Sequence, residues 1–128
     1  GSVEIEQQPG YLPLIPDEKL SKVVYNNMLN FFDDSQILHD EKRCAAGDVG
    51  DISIFKPIIQ YGYTGFSGNM HGNNLLISDP YEVYIIQPKV VCGSVIDLLE
   101  QPELVNDIVN NFKPKMTYQQ YIDYLNNK

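Results

Sequence analysis

The stretch YEVYIIQPKVVCGSVIDLL, residues 81–99, decides the predicted fold because the spacing of its apolar side chains changes within it. Residues 81–92 are rich in Tyr, Val and Ile, which is typical of a β-strand. The Gln-Pro-Lys sequence at 87–89 predicts a bulge in that strand. Beyond it the apolar spacing becomes helical, and Ser94 with Asp97 three residues later resembles a helix-capping box. The stretch therefore predicts a strand that leads directly into a helix.

Two segments upstream of this stretch predict further strands. In residues 51–61 isoleucines alternate with other side chains, and Pro57 restricts the strand to a sheet edge or marks a bulge. Residues 75–78 predict a short strand that ends in a turn at Asp79 and Pro80. Short connections favour antiparallel pairing, so these segments predict a small antiparallel sheet of about three strands.

Helices are predicted both before and after the strand segments in the sequence. Residues 17–32 carry apolar side chains at helical spacing, and Asp17 is a suitable N-cap. Pro102 begins another helix, and Thr117 with Gln120 forms a capping box that opens the last one. The predicted fold class is α+β, with an N-terminal helix, the small sheet, and two or three C-terminal helices packed on one face.

The chain of 128 residues is expected to form one domain. Residues 1–16 contain three prolines and predict an extended lead, in which Gly1 and Ser2 resemble the scar of a cleaved purification tag. Residues 17–128 form the predicted single α+β domain. The sequence carries no signal for compartment or oligomeric state.

Composition limits the classes of partner. The chain has 17 acidic against 9 basic residues and a formal net charge of −8. Nucleic acids and anionic membranes are bound by clustered Lys and Arg, and no such cluster occurs. Apolar runs are too short for membrane insertion. The acidity is compatible with a protein partner that has a basic surface, although it also serves solubility alone.

The segment 62–74 contains four glycines and predicts an irregular loop of a length that is uncommon in a small domain. Aromatic and soft side chains interleaved with glycine and asparagine are typical of binding loops. The alternative is a hairpin connection whose aromatic rings pack back on the core. An acidic connector, residues 33–51, could flank the same surface. The predicted binding residues are Tyr61, Tyr63, Phe66, Asn69, Met70, His71, Asp40, Glu41, Asp48 and Asp51.

The sequence contains one candidate for catalysis. Cys92 is predicted at a strand-to-helix junction, where a helix N-terminus lowers the pKa of a thiol, and His71 would be its base. A disulfide between Cys44 and Cys92 is the alternative use of the thiol. Zinc sites show closely spaced ligand pairs and phosphate loops carry a lysine, and both signals are missing. We therefore expect no metal and no cofactor.

These observations favour a non-catalytic protein-binding domain, such as an inhibitor, an immunity-type protein, an adaptor or an accessory subunit. It would recognise its partner through the Gly-rich loop and the acidic connector. The first alternative is a small cysteine-dependent hydrolase that uses Cys92 and His71. The second is a structural domain of a larger viral or cell-surface assembly.

Overall fold

A computed structural model describes residues 1–6, 8, 10–39 and 47–126. The described chain is α+β, as predicted, with five α-helices and one two-stranded antiparallel sheet. In chain order the elements are α1 (Glu18–Met28), a 3₁₀ turn (Asp34–Gln36), α2 (Asp48–Ser53), β1 (Phe66–Ser67), β2 (Leu76–Ile77), a π-helical turn (Glu82–Ile86), α3 (Gln87–Glu100), α4 (Pro102–Asn111) and α5 (Tyr118–Asn126).

The predicted strand at 81–92 is wrong, because this segment is helical throughout. Its buried positions, Gln87, Val90 and Ser94, recur at spacings of three and four residues, which is the period of a helix. Two of the three are polar, while the β-favouring side chains Tyr84 and Val91 are exposed. The composition of this segment therefore predicts a strand, although its burial follows the period of a helix.

Pro88 lies inside this continuous helical segment, and the π-helical turn stands directly before it. A proline has no N–H, and its ring collides with the carbonyl four residues earlier in an α-helix. The N–H of Gln87 donates to the carbonyl of Glu82, the five-residue spacing of a π-helix. The wider turn thus accommodates Pro88 where a regular helix would kink or end.

The predicted strand at 51–61 is also wrong, because the segment begins within the short helix α2. Successive side chains of a strand point to opposite faces, so a strand with one face in solvent buries alternate residues. Ser53 and Ile54 are adjacent and both are buried. The Ser53 hydroxyl donates to the carbonyl of Gly50 at 2.6 Å and accepts from the N–H of Ile15 at 3.1 Å. The sheet accordingly contains two strands, not three, in the part of the chain that the structure describes.

The predicted starts of α1 and α5 are confirmed, but the predicted cap at Ser94 is wrong, because Ser94 lies inside α3 and its hydroxyl donates to the carbonyl of Val90. The Asp17 carboxylate accepts from the N–H groups of Lys19 and Leu20, each at 3.0 Å, and so caps α1. The N–H of Thr117 donates to the Gln120 side chain at 2.7 Å, and the Thr117 hydroxyl accepts from the Gln120 N–H at 3.2 Å. This is the predicted capping box of α5.

The helices pack on one another rather than on a sheet face, contrary to the predicted arrangement. α3 packs against α1 and α4, whereas all four strand residues are exposed. Between α1 and α3 the Asn27 amide donates to the Asp97 carboxylate at 2.6 Å, and Gly93 leaves the space that Asn27 occupies. The buried apolar side chains of the described core are Val23, Val24, Ile54, Val90 and Ile108.

The N-terminal lead is attached to the helical body through residues 10–15. The N–H of Leu12 donates to the Asp51 carboxylate at 2.8 Å, and the Tyr124 hydroxyl donates to the carbonyl of Gly10 at 2.5 Å. The other carboxylate oxygen of Asp51 accepts from the Tyr121 hydroxyl at 3.1 Å. Asp51 therefore joins the lead, α2 and α5. No helix in the described ranges is long and apolar enough to cross a membrane.

Candidate functional site

The predicted binding loop is part of a β-hairpin, which we define as residues 61–78. In its short ladder Phe66 pairs with Ile77, and Ser67 pairs with Leu76. The hairpin projects from the start of the π-helical turn, and its strand residues are all exposed. Its two ends are held by different sets of contacts.

The base of the hairpin is fixed by Gly65, which is buried. Its φ of 94° lies in the left-handed region, where a side chain is strained. A Cβ at this position would stand 2.7 Å from Cγ2 of Val83. The Gly65 carbonyl accepts from the N–H groups of Ser78 and Asp79, at 2.8 and 3.0 Å. The backbone of Gly65 therefore lies directly against the π-helical turn that contains Val83.

A second connection at the base runs through Glu82, in the π-helical turn. The Thr64 hydroxyl donates to the Glu82 carboxylate. The Glu82 N–H donates to the Asp79 carboxylate at 3.0 Å, so Asp79 caps the first turn of the helical segment. The hairpin and the helix that follows it are thus joined by backbone and side-chain bonds.

The tip of the hairpin is held by the side chain of Asn74, by the backbone of Asn69 and by close backbone approaches. The N–H of Asn69 donates to Oδ1 of Asn74 at 3.2 Å, and the N–H of Gly72 donates to the Asn69 carbonyl at 2.8 Å. Gly68, with φ 93°, lies against the backbone of Asn74. His71 has φ 62°, the left-handed backbone conformation that is unusual for a residue with a side chain. The tip therefore has a defined conformation.

Between these two fixed ends the apolar side chains remain exposed to solvent. Tyr63 is 50% and Met70 78% exposed, and the rings of Tyr63 and Phe66 lie 5.6 Å apart in a tilted pair. The exposed apolar side chains of the hairpin, which together we call the hairpin face, are Tyr63, Phe66, Met70, Leu75, Leu76 and Ile77. Phe66 and Ile77 share one side of the ladder, and Leu76 lies on the other.

The hairpin face is also free of formal charge. Between Lys56 and Asp79 the sequence contains no Asp, Glu, Lys or Arg. Partial burial, with the nearby Tyr63 phenol as a smaller cause, raises the pKa of Tyr61 above its usual 10.0, so this ring too is neutral at physiological pH. The surface resembles the apolar centre of a protein interface more than a charged steering patch.

Sequence reasoning missed half of the hairpin face. Leu75, Leu76 and Ile77 belong to the predicted short strand 75–78 and are not among the predicted binding residues, yet Leu76 is 64% exposed. The uncharged run between Lys56 and Asp79 is the signal that could have identified them. A run of that length without any charge is unusual in a chain with 20% charged residues.

The predicted acidic residues do not all have the same surroundings. Asp48 is exposed. The carboxylate of Asp51 is occupied by the N–H of Leu12 and the hydroxyl of Tyr121. Asp40 and Glu41 lie outside the described residues. The role of the acidic connector in binding stays a prediction.

Cys92 does not have the position that its catalytic role required. It is exposed on α3, which begins at Gln87, so the thiol is not at the N-terminus of its own helix. His71 is at the hairpin tip, and no hydrogen bond joins these two described side chains. Cys44, the other half of the predicted disulfide, lies outside the described residues. Among those residues, no three His, Cys, Asp or Glu side chains group together as a metal site.

No family model, curated protein or solved structure matches this chain.

Proposed function

We propose that this chain is a non-catalytic protein-binding domain that presents the hairpin face to a partner protein. One observation carries the proposal. The hairpin is held at its base by Gly65 and at its tip by Asn69 and Asn74, while the apolar side chains between them remain exposed. A loop that is already ordered loses little conformational entropy when it binds.

The composition of the hairpin face supports a protein as the ligand. Aromatic side chains and methionine are enriched at the centres of protein interfaces. Tyr63 and Phe66 are already paired, so they offer one rigid aromatic surface. A few such anchors commonly account for most of the binding energy of an interface. This fits an inhibitor, an immunity-type protein, an adaptor or an accessory subunit.

Acidic residues would contribute to this function mainly through the rate of association. The net charge of −8 and the exposed Asp48 favour a partner with a basic surface, which is attracted over a distance of about one Debye length. The hairpin face itself carries no charge, so the contact that it makes is apolar. We therefore expect salt to slow association more than it speeds dissociation.

Photo-crosslinking in cells of the source organism tests the proposal. Tyr63 and, in a matched control, Tyr118 on α5 are each replaced by the photoreactive residue p-benzoylphenylalanine. Tyr118 is 72% exposed against 50% for Tyr63, so simple accessibility favours the control. The proposal predicts a discrete protein adduct from position 63 and none from position 118. Equal labelling at both positions, or no adduct from position 63, would contradict it.

A further inference from the structure

The chain exposes far more surface than a compact monomer of its size. Its accessible surface is 10117 Å² for a mass of 14.6 kDa. A compact monomer of that mass exposes about 6,900 Å². The extended lead accounts for part of the difference, but large apolar side chains on α3 are exposed as well.

These side chains form two adjacent rows along α3. Val91, Val95 and Leu99 follow at four-residue intervals and so share one face of the helix, with exposures of 49, 49 and 77%. Cys92 and Ile96 form the neighbouring row, and both are exposed. We call these five residues the α3 stripe. Val90 and Ser94, on the opposite side of the helix, are buried.

The α3 stripe contains no charged side chain, although the chain as a whole is strongly acidic. Lys89 lies over the ring of Phe31, 5.9 Å from its centroid, and Asp97 accepts from Asn27, so neither charge lies in the stripe. Glu100 ends the helix beyond the stripe. Two copies of a chain with a charge of −8 repel each other, but a contact along the stripe brings no like charges together.

We propose that a second copy of this chain docks on the α3 stripe, with the two α3 helices antiparallel about a two-fold axis. Two-fold dimers use the same patch on both subunits, and a straight apolar row on a helix is complementary to itself in this arrangement. The antiparallel orientation sets Lys89 of one copy near the level of Glu100 in the other. A parallel orientation would set like charges at the same level.

The available area is enough for such a dimer. We take about 100 Å² for a fully exposed aliphatic side chain and about 200 Å² for an aromatic one. The stripe, extended by the 61% exposed Tyr84, then offers about 350 Å² of apolar surface per copy. Because homodimer interfaces are about 65% apolar, this corresponds to about 1,100 Å² buried in total. That clears the roughly 1,000 Å² expected of a biological interface but lies below the roughly 1,200 Å² of stable ones, so we expect a weak, reversible dimer.

Sedimentation velocity over a concentration series tests the dimer with the full chain. The wild-type mass should rise from 14.6 kDa towards twice that value as the concentration increases through the micromolar range. Val95→Asp introduces the same charge twice into a two-fold interface and should weaken the dimer at least ~30-fold. Leu99→Asp, at a more exposed position, repeats the test should Val95→Asp impair folding. Val109→Asp is the matched control, because Val109 is 58% exposed on α4 and lies outside the stripe.

Cys92 gives an independent measure of orientation because it lies within the stripe. In the antiparallel dimer Cys92 lies at the level of Asp97 in the other copy, whereas a parallel dimer would set the two Cys92 thiols side by side. In a Cys44→Ser background, mild oxidation should therefore trap no Cys92–Cys92 dimer, and ready formation of that disulfide would contradict the antiparallel orientation. Tyr63→Ser, in the hairpin, should leave the dimer unchanged. A wild-type chain that stays monomeric at all concentrations would overturn the proposal. A dimer that Val95→Asp and Leu99→Asp leave intact, or that Val109→Asp weakens equally, would overturn it as well.

Discussion

Gly65 and Val83 touch where the hairpin meets the π-helical turn, and a Cβ on Gly65 would stand 2.7 Å from Cγ2 of Val83. This contact fixes the direction in which the hairpin leaves the helical body. It is also at the far end of the hairpin from Met70 and His71, so it can be altered without changing the exposed tip.

Gly65→Ala is expected to destabilise the hairpin by about 2 kcal/mol, from left-handed backbone strain and the collision with Val83. Hydrogen exchange of the Ser78 and Asp79 amides, which both donate to the Gly65 carbonyl, measures the effect locally. We expect exchange to accelerate by roughly 30-fold. Gly62→Ala is the control, since a Cβ there meets nothing within 4 Å. Unchanged exchange in Gly65→Ala would show that the base is not fixed by this contact.

Gly93→Ala is expected to destabilise the chain although alanine is the better helix former. The new Cβ would meet Oδ1 of Asn27, whose amide donates to Val23 at 3.0 Å and to Asp97 at 2.6 Å. Displacing this buried amide costs about 1–3 kcal/mol, more than the gain of up to about 1 kcal/mol in helix propensity. In an Asn27→Ala background the same change should stabilise the chain. Denaturant unfolding of wild type, Gly93→Ala, Asn27→Ala and the double variant gives the coupling free energy between the two positions. Additive effects would contradict the contact between Gly93 and Asn27.

Local signals made the starts of α1 and α5 predictable, although α1 ends at Met28 and not at Phe32. Asp17, Thr117 and Gln120 form the caps that their residue types predict, because a cap depends only on neighbours within one turn. The position of the candidate loop was also readable, since glycine and asparagine mark turns.

The long-range part of the fold was not predictable from apolar patterning, because much of the interior is polar. Asn27, Ser53, Gln87 and Ser94 are buried, and the hydroxyl of Ser94 donates to the carbonyl of Val90 at 2.7 Å. Apolar periodicity counts such residues as surface. Meanwhile Tyr84 and Val91 are exposed and gave residues 81–92 a strand-like composition. The uncharged run between Lys56 and Asp79 marks the residues of the hairpin face, but their exposure follows from how Gly65 directs the hairpin, which apolar patterning does not show.

Asp51→Ala is expected to destabilise the chain by about 1–2 kcal/mol, because the carboxylate joins the N-terminal lead to α5. Its partners are the N–H of Leu12 at 2.8 Å and the hydroxyl of Tyr121 at 3.1 Å. Asp48→Ala, in the same short helix but exposed, should change the free energy of unfolding by less than about 0.5 kcal/mol. Equal effects of the two substitutions on the denaturant midpoint would argue against the structural role of Asp51.

The contact between Tyr25 and Asp34 predicts a pH dependence at both ends of the scale. Hydrogen bonds from Tyr25 and then His39 lower the pKa of Asp34 below 3.8, and the bond to Asp34 raises the pKa of Tyr25 above 10.0. The Asp34 contribution to stability is therefore present above pH 3.8 and lost as the pH falls through its lower folded value. The Tyr25 contribution is present below pH 10.0 and lost as the pH rises through its higher folded value.

An NMR titration of the Asp34 carboxyl checks this assignment. Tyr25→Phe should move the titration midpoint up towards 3.8, and further than His39→Gln does, because the bond from Tyr25 is the larger cause. A midpoint that is the same in wild type and Tyr25→Phe would show that the hydrogen bond does not form in solution.

The affinity of the crosslinked partner for the hairpin variants tests the central claim most directly. Once the protein captured at position 63 is identified, its dissociation constant is measured by calorimetry with wild type, Tyr63→Ser, Phe66→Ser and the control Tyr118→Ser. Removing an aromatic anchor costs about 2 kcal/mol or more, so the two hairpin variants should each bind at least ~30-fold more weakly, while Tyr118→Ser binds as wild type. Unchanged affinity in both hairpin variants, or an equal loss in Tyr118→Ser, would contradict the hairpin face as the binding surface.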